Sequence, residues 1–345
     1  MLASGQDLSA AQAQLVLSEI MSDNVPDAQT GAFLIALRAK GETVDELVGL
    51  ARTMRNLALR VEVPGDELLD TAGTGGGTPT FNVSTTAALV AAGAGCRVAK
   101  HGNRSATSLS GSADLLEALG ARIDLEPEAV ADCIEDVGFG FMFAPRHHAA
   151  TKHVVPVRKA LGVRTIFNFL GPLTNPAGAT RQLVGVFDPA YLELIAGALV
   201  QLGCHRAAVV SSEDGMDEIS IASETRLLEV TQDGVTEHVV SPERVGLERA
   251  DSDSVAGGTP ERNAEIARSN CGCGTRSLRR SRSSRAACVI GSRALIATRE
   301  RARWSWPRTA PPSRAPRRSR SPAPPAARPA RTRRRDRRRR APRPR

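Results

Sequence analysis

The chain has 345 residues and a formal net charge of +9, which is distributed very unevenly. Residues 269–345 contain 25 arginines, no lysine and two acidic residues, a net charge of +23 that leaves −14 for residues 1–268. The acidic part is long enough for one large or two ordinary domains. No apolar run approaches the roughly 20 residues of a membrane span, and the first residues lack the pattern of a secretory leader. We therefore expect a cytoplasmic protein without a membrane partner.

The first part of the chain has a helical pattern. Residues 8–60 carry apolar side chains at three- and four-residue spacing, as at Leu34 and Leu37. This spacing places apolar side chains on one face of each helix. It predicts a small α-helical domain over residues 1–63. We expect residues 155–176, which interrupt the pattern that follows, to join this domain.

After the helical part, short apolar runs alternate with helical patterns. The runs lie at residues 68–72, 96–100, 139–143, 183–187 and 207–212. This alternation is typical of β-α-β units on a parallel sheet. Residues 226–240 predict a hairpin around an Asp-Gly turn, and Thr259, followed by proline, predicts the start of a helix. The fold class is therefore α/β, with a larger domain over 64–154 and 177–268 and a mainly parallel central sheet.

Residues 269–345 are rich in Arg, Pro, Ser and Ala and lack apolar periodicity. Little apolar burial offsets the chain entropy, so we predict a largely disordered, non-native tail. The abrupt change after Arg268 is typical of a reading-frame change in a GC-rich gene. The alternative is a nucleic-acid-binding segment, because arginines bind phosphates non-specifically. The tail has only Trp304 and Trp306 for stacking and no known binding module, so we expect no specific nucleic-acid partner.

The first candidate site is the glycine-rich run Gly73–Gly77, between a predicted strand and a predicted helix. Glycines let backbone N–H groups turn toward an anion, and a helix N-terminus adds positive potential and unpaired donors. The run therefore predicts a site for phosphate or pyrophosphate, with Thr80, Asn82, Ser84 and Thr85 at the mouth of the helix. It matches neither the P-loop nor the dinucleotide fingerprint, and a tight structural turn is the alternative.

A second candidate site is the loop from Lys100 to Arg104, which several hydroxyl side chains follow. Ligands gather at the carboxyl ends of parallel strands, so this loop should lie beside the glycine-rich run. Two cations and several hydroxyls suit a polyanion, whereas the alternative is a solvated basic turn. The cationic neighbours of His101 disfavour its protonated form, so we assign it a packing or orienting role first.

Asp217 and Glu218 form a third candidate site, in a loop after an apolar run. Adjacent carboxylates at a strand end suit Mg²⁺, which prefers oxygen ligands and bridges proteins to substrate phosphates. An exposed acidic turn is the alternative. By contrast, His147, His148 and His153 lie among arginines and lysines, without an acid or cysteine in their segment. We expect them to pack rather than to bind a metal.

Taken together, these motifs resemble the anthranilate phosphoribosyltransferase family, which joins anthranilate to phosphoribosyl pyrophosphate (PRPP). The matching segments are GTGG at 73–76, FNVST at 81–85, KHGNR at 100–104, SGSADLLEALG at 110–120, FAPRHH at 143–148, FNFLGPLTNP at 167–176 and GMDE at 215–218. The resemblance covers about residues 8–268 and implies a Mg²⁺-dependent transferase of tryptophan biosynthesis. It also implies an α-helical domain that forms the contact of a homodimer, beside a larger α/β domain.

The resemblance also implies roles for individual residues. Arg158 and Asn103 would receive anthranilate, with the guanidinium of Arg158 facing its carboxylate. Ser84, Asp217 and Glu218 would hold two Mg²⁺ ions per subunit. The residues implied to bind substrate are Gly73, Gly76, Gly77, Thr80, Asn82, Val83, Ser84, Thr85, Lys100, His101, Gly102, Asn103, Arg104, Ser105, Ala106, Thr107, Ser108, Ser112 and Arg158.

No general base is assigned, because the weakly basic amine of anthranilate needs little proton transfer before the C–N bond forms. Lys100 would assist by stabilising charge on the leaving pyrophosphate. One departure is Gly77, which stands where the family usually has Asp in a loop one residue longer. A related pyrimidine nucleoside phosphorylase-like enzyme, which uses inorganic phosphate, is the alternative function. The KHGNR motif and Arg158 favour the transferase.

Overall fold

The structure is a computed structural model that describes residues 1–65, 67–105 and 108–271. The predictions for Ala106, Thr107 and the tail beyond Cys271 lie outside these residues. The strands are β1 (Leu68–Gly73), β2 (Arg97–Gly102), β3 (Phe139–Phe143), β4 (Arg181–Gly185), β5 (Arg206–Ser212), β6 (Thr225–Thr231) and β7 (Gly234–Val240). The helices are α1 (Ala10–Met21), α2 (Asp27–Lys40), α3 (Val44–Leu57), α4 (Val83–Gly93), α5 (Ser112–Ala118), α6 (Pro127–Val137), α7 (Ala144–His147), α8 (Val155–Leu161), α9 (Phe167–Leu173), α10 (Leu192–Gln201) and α11 (Pro260–Asn270).

The strands form one sheet in the order β3-β2-β1-β4-β5-β6-β7. Strands β1 to β5 pair in parallel, whereas β6 is antiparallel to β5 and β7 is antiparallel to β6. The hairpin of β6 and β7 turns at Gly234, whose φ of 131° favours glycine. The prediction of an α/β fold with a mainly parallel sheet is therefore confirmed.

The strand order reverses between β1 and β4. The chain adds β2 and β3 on one side of β1 and then returns to add β4 and β5 on the other side. Open parallel sheets bind ligands beyond the carboxyl ends of their strands at such a reversal. The loops that follow β1 and β4 meet there, where Thr74 N–H donates to the backbone oxygen of Gly185 at 2.9 Å.

Helices α1 to α3 form a helical part beside the sheet. Ser9 and Thr43 begin α1 and α3 with capping boxes, which satisfy N–H groups that the first turn leaves unpaired. Glycine at position 49 lets α1 and α3 touch, because a Cβ there would overlap the backbone oxygen of Ala10. The segment 155–176 supplies α8, which packs on α2, and α9, which packs on α3.

A continuous apolar core joins the helical part to the sheet. Leu34 and Leu50 belong to the same buried cluster as Leu170, Val184 and Leu199. The helical part is thus held against β4 and α10 by side chains removed from water. Within the part of the chain that the structure describes, no helix has both the length and the apolar character needed to cross a membrane.

Candidate active site

The acidic loop after β5 lies directly on glycines at the ends of β1 and β4. A Cβ at Gly73 would lie 2.6 Å from Oδ2 of Asp217, and a Cβ at Gly185 would overlap the backbone oxygen of Asp217. The N–H of Gly75 donates to Oδ2 of Asp217 at 3.1 Å. The glycine-rich loop and the acidic loop therefore form one site at the strand-order reversal.

Gly77 has no room for a side chain in this arrangement. A Cβ there would lie 2.7 Å from the backbone oxygen of Gly215 and 2.9 Å from the backbone nitrogen of Asp217. Next to it, Thr78 N–H donates to the same oxygen of Gly215 at 3.0 Å. Gly77 is thus required by the close packing of the two loops.

Glu218 and Asp217 place two carboxyl groups side by side. The carboxyl group of Glu218 is buried in the protein, whereas other atoms of this residue are partly exposed to solvent. Burial, and then the neighbouring Asp217, raise the pKa of Glu218 to about 8, while Lys100 and the N–H of Ser84 oppose that rise. Burial also raises the pKa of Asp217. Both carboxylates therefore gain from a nearby cation.

These donors fit Mg²⁺. Among residues 1–65, 67–105 and 108–271, no cluster of three or more His, Cys, Asp or Glu side chains is placed to hold a metal. Mg²⁺ in phosphate-transfer sites is commonly held by one or two carboxylates, with waters and substrate phosphates as the other ligands. Asp217 and Glu218 would supply the carboxylates. Ser84, whose backbone N–H contacts Glu218, would supply its hydroxyl.

Lys100 and His101 lie in β2, which corrects the prediction that they begin a loop. The strand continues because His101 and Gly102 pair with Met142 and Phe143 of β3, so the loop begins only at Asn103. Lys100 is 1% exposed. Its Nζ donates to the backbone oxygen of the β1 residue Thr71 at 2.6 Å, and the charges of Asp70 and Glu218 oppose the lowering of its pKa by burial. The amine of Lys100 therefore interacts electrostatically with Glu218 of the acidic pair.

His101 and His148 are neutral packing residues. Their ring centroids lie 5.0 Å apart. Nδ1 of His101 lies 3.3 Å from the backbone oxygen of Gly171, and Nε2 of His148 lies 3.0 Å from that of Thr174. Burial lowers the pKa of His101 to about 3 and that of His148 to about 4. A packing role for His101 agrees with this geometry.

Arg104 does not face the glycine-rich loop, which corrects the prediction of two cations for a polyanion. Its guanidinium pairs with Asp114 at 2.8 Å and with Glu117 at 2.5 Å. Both carboxylates lie on α5, three residues apart and therefore on one face of the helix. Asn103 accepts a hydrogen bond from the N–H of Ala113 through its backbone oxygen at 3.2 Å. Arg104 therefore positions this loop on α5.

Hydroxyl and amide side chains join the starts of α4 and α5. Asn82 donates to the backbone oxygen of Ser110 at 2.9 Å and accepts from the hydroxyl of Ser110 at 2.9 Å. Thr85 donates to the hydroxyl of Ser112 at 3.1 Å. The amide of Asn263, on α11, also donates to Oδ1 of Asn82 at 2.9 Å. Sequence reasoning missed Asn263, which has no motif around it.

Arg158 and Arg164 lie on the segment between β3 and β4. Arg158 stacks its guanidinium on the ring of Phe167, 5.2 Å from the centroid, and burial lowers its pKa. Arg164, which sequence reasoning missed, lies over the ring of Phe187 at 3.7 Å and against Gly76. Arg164 lies three residues before the FNFLGPLTNP motif, and this position is the sequence signal that could have identified it as a site residue. The structure brings Arg164, but not Arg158, into contact with the glycine-rich loop.

The fold and the site define a phosphate-binding α/β enzyme with an accompanying helical bundle. Residues 1–58 match the glycosyl transferase family, helical bundle domain, and residues 65–299 match the glycosyl transferase family, a/b domain. The second match extends past residue 268, where the sequence resemblance was expected to end.

Relatives specify the family further. Anthranilate phosphoribosyltransferase of Symbiobacterium thermophilum is 53% identical over 269 residues, which are 78% of this chain and 79% of that protein. The crystal structure of the Thermus thermophilus enzyme has a TM-score of 0.75 and 42% identity, and covers 86% of this chain and 94% of its own. The Saccharomyces cerevisiae enzyme in complex with PRPP and Mg has a TM-score of 0.73 and 26% identity, and covers 86% of this chain and 92% of its own. The chain belongs to the anthranilate phosphoribosyltransferase family.

Proposed function

We propose that this chain transfers the phosphoribosyl group of PRPP to the amine of anthranilate, giving N-(5-phosphoribosyl)anthranilate and pyrophosphate in tryptophan biosynthesis. The observation that carries the proposal is the direct contact of the glycine-rich loop with Asp217, at 3.1 Å from Gly75. It unites backbone N–H donors for phosphates with carboxylates for Mg²⁺, and the amine of Lys100 interacts electrostatically with Glu218.

The substrate-binding residues of the donor side follow from this arrangement. The amides of Gly73, Gly76 and Gly77 would donate to the pyrophosphate, and Lys100 and Gly102 would support them from β2. The residues that would contact the ribose phosphate are Thr80, Asn82, Val83, Ser84, Thr85, Ser105, Ser108 and Ser112. The hydroxyls of Ser105 and Ser108 lie 2.6 Å apart, which supports a shared polar pocket.

Two Mg²⁺ ions per subunit would be held by Ser84, Asp217 and Glu218. When bound, Mg²⁺ neutralises charge that develops on the departing pyrophosphate. The protein's own contribution is the rigid placement of both carboxylates, because glycines let their loop lie on the strand ends. Lys100, whose amine is held in place by the backbone oxygen of Thr71, would act on the charge of the departing pyrophosphate from within β2.

Arg158 and Asn103 would receive anthranilate. The support is the stacking of Arg158 on Phe167, which combines a cation for the carboxylate with an aromatic surface for the ring. Catalysis would come from alignment of the amine with the anomeric carbon, an effect worth roughly 7–11 kcal/mol. His101 stays neutral in a packing role, and the weakly basic amine of anthranilate needs no general base before the C–N bond forms.

We also propose a cytoplasmic homodimer that associates through the helical part, which comprises residues 1–63 and 155–176. Apolar side chains on this part support the assembly: Leu15 is 68% exposed and Val155 is 51% exposed. A contiguous exposed apolar patch commonly marks an interface, and we propose that these side chains contribute to such a patch. The remainder, residues 64–154 and 177–268, forms the proposed PRPP-binding domain.

The test is the double variant Asp217→Asn with Glu218→Gln, compared with Asp233→Asn in the exposed hairpin turn as a control. We expect the double variant to lose Mg²⁺-dependent formation of phosphoribosylanthranilate, because it removes the charges that hold the metal, while the control keeps the wild-type rate. An unchanged rate in the double variant would remove these residues from the site. Phosphorolysis of a pyrimidine nucleoside by the wild type, without transfer to anthranilate, would overturn the proposed function.

A further inference from the structure

Arg164 occupies the surface of the glycine-rich loop. A Cβ at Gly76 would overlap one terminal nitrogen of the Arg164 guanidinium, so the guanidinium fills the space that a side chain would take. Gly76 also has a φ of 89°, which favours glycine. On its other side, the guanidinium lies 3.7 Å from the centroid of the Phe187 ring. The loop glycine and the aromatic ring together hold the cation at the mouth of the site.

This cation has hydrogen-bonding capacity that the protein leaves unused. Nη1 of Arg164 is buried and has no hydrogen-bond partner in the described structure. A guanidinium offers five donors, and burying one without an acceptor is unfavourable. The charge of Arg164 does act on Asp217, where it opposes the rise of the carboxyl pKa. An anion beside Gly76 would meet donors that are already in place.

The other cations near the site are engaged elsewhere. Arg104 pairs with two carboxylates of α5, and Lys100 of β2 donates to the backbone oxygen of Thr71 in β1. Arg158 stacks on Phe167. Within the described part of the chain, Arg164 is therefore the cation whose guanidinium contacts the glycine-rich loop, at Gly76.

The backbone of Arg164 is anchored independently of its side chain. Arg38 of α2 donates a hydrogen bond to the backbone oxygen of Arg164. The next residue, Thr165, donates its N–H to Oδ1 of Asn168 at 3.1 Å. A change of the guanidinium therefore leaves these backbone contacts available, so that its effect on ligand binding is measurable.

We propose that Arg164 binds the diphosphate of PRPP, donating from its guanidinium to phosphate oxygens that lie on the glycine-rich loop at Gly76. This inference rests on the proposed function. A planar guanidinium donates two parallel hydrogen bonds to a phosphate, which a lysine cannot reproduce. The residue contacts the donor substrate, whereas Arg158 serves the acceptor.

The test compares Arg164→Gln and Arg164→Lys with the wild type. Arg181→Gln, which breaks a surface pair with Glu67, is the matched control. Calorimetry measures the binding of pyrophosphate with Mg²⁺, and steady-state kinetics measure KM for each substrate. We expect Arg164→Gln to weaken pyrophosphate binding and to raise KM for PRPP by about 10- to 100-fold, as for loss of a charge-assisted hydrogen bond. Arg164→Lys should fall between, and KM for anthranilate should stay unchanged.

The outcomes separate this inference from the proposed function. A wild-type protein that neither binds Mg²⁺-pyrophosphate nor forms product contradicts the proposed function itself. A wild type that does both, with unchanged pyrophosphate binding in Arg164→Gln, overturns the role of Arg164. An effect confined to KM for anthranilate would assign Arg164 to the acceptor and also overturn it. If Arg164→Gln does not fold, the test rests on folded Arg164→Lys, which cannot donate in the same planar geometry. Unchanged pyrophosphate binding by Arg164→Lys then overturns the role of Arg164.

Discussion

The buried pair of His101 and His148 makes folding sensitive to mild acid. Both rings are buried, with 8% and 4% of each residue exposed. Burial, first of all, lowers the pKa of His101 from 6.5 to about 3 and that of His148 from 6.5 to about 4. Each folded imidazole therefore stays neutral at a pH where the same group in the unfolded chain takes up a proton.

The sign and the size follow from proton linkage. Between about pH 6.5 and pH 4 the unfolded chain binds more protons at these two sites than the folded protein, so stability falls as the pH falls. With the two folded pKa values above, lowering the pH from 7 to 5 costs about 2 kcal/mol for each histidine. The pair then accounts for about 4 kcal/mol, a large share of the 5–15 kcal/mol that typically stabilises a domain.

The assay is urea unfolding, followed by circular dichroism at pH 7, 6 and 5. His148→Gln removes one titrating group and keeps an N–H donor for the backbone oxygen of Thr174. We expect this variant to lose about 2 kcal/mol less free energy of unfolding than the wild type between pH 7 and 5, because every other titrating group, including Glu218, is common to both proteins. Gln29→Ala, an exposed change on α2 that removes no titrating group, should keep the wild-type dependence. Equal losses in His148→Gln and the wild type would refute the reasoning.

Two further predictions concern the loops of the site. Gly77→Ala should reduce turnover and destabilise the protein by about 1–3 kcal/mol, because the new methyl group meets the backbone of Gly215 and Asp217; unchanged thermal unfolding would contradict it. Asn263→Ala should raise KM for PRPP, because Asn82 loses the amide that fixes its side-chain oxygen. Asn270→Ala, an exposed change on the same helix, should leave KM unchanged, and equal effects of the two variants would argue against a positioning role.

Elements that local signals determine were predictable from the sequence. The apolar run at 139–143 is β3, and the Asp-Gly turn joins β6 and β7. Thr259 caps α11, where its hydroxyl accepts from the N–H of Arg262 at 3.4 Å. Caps, turns and apolar periodicity act over a few residues, so they are readable without knowledge of the rest of the fold.

Side-chain directions in the basic motif were less accessible to sequence reasoning. Whether Lys100 and His101 lie in a strand depends on β3, which supplies partners as far as Phe143. Whether Arg104 faces a substrate depends on carboxylates of α5 that compete for its guanidinium. Both are tertiary effects. A motif of polar residues does not reveal which of its side chains form hydrogen bonds or ion pairs within the protein and which face a ligand.

Gly185 shows most clearly why part of the site was hidden in the sequence. In the sequence it belongs to an apolar run and signals only a strand. In the fold, it and Gly73 provide adjacent strand ends without Cβ atoms, and the backbone of Asp217 occupies the space. Since the carboxylate of Asp217 reaches the glycine-rich loop through this close approach, a residue of β4 with no chemistry of its own determines where the carboxylates that we propose to bind Mg²⁺ lie. Such a role arises from the pairing of β1 with β4, which places Gly73 opposite Gly185.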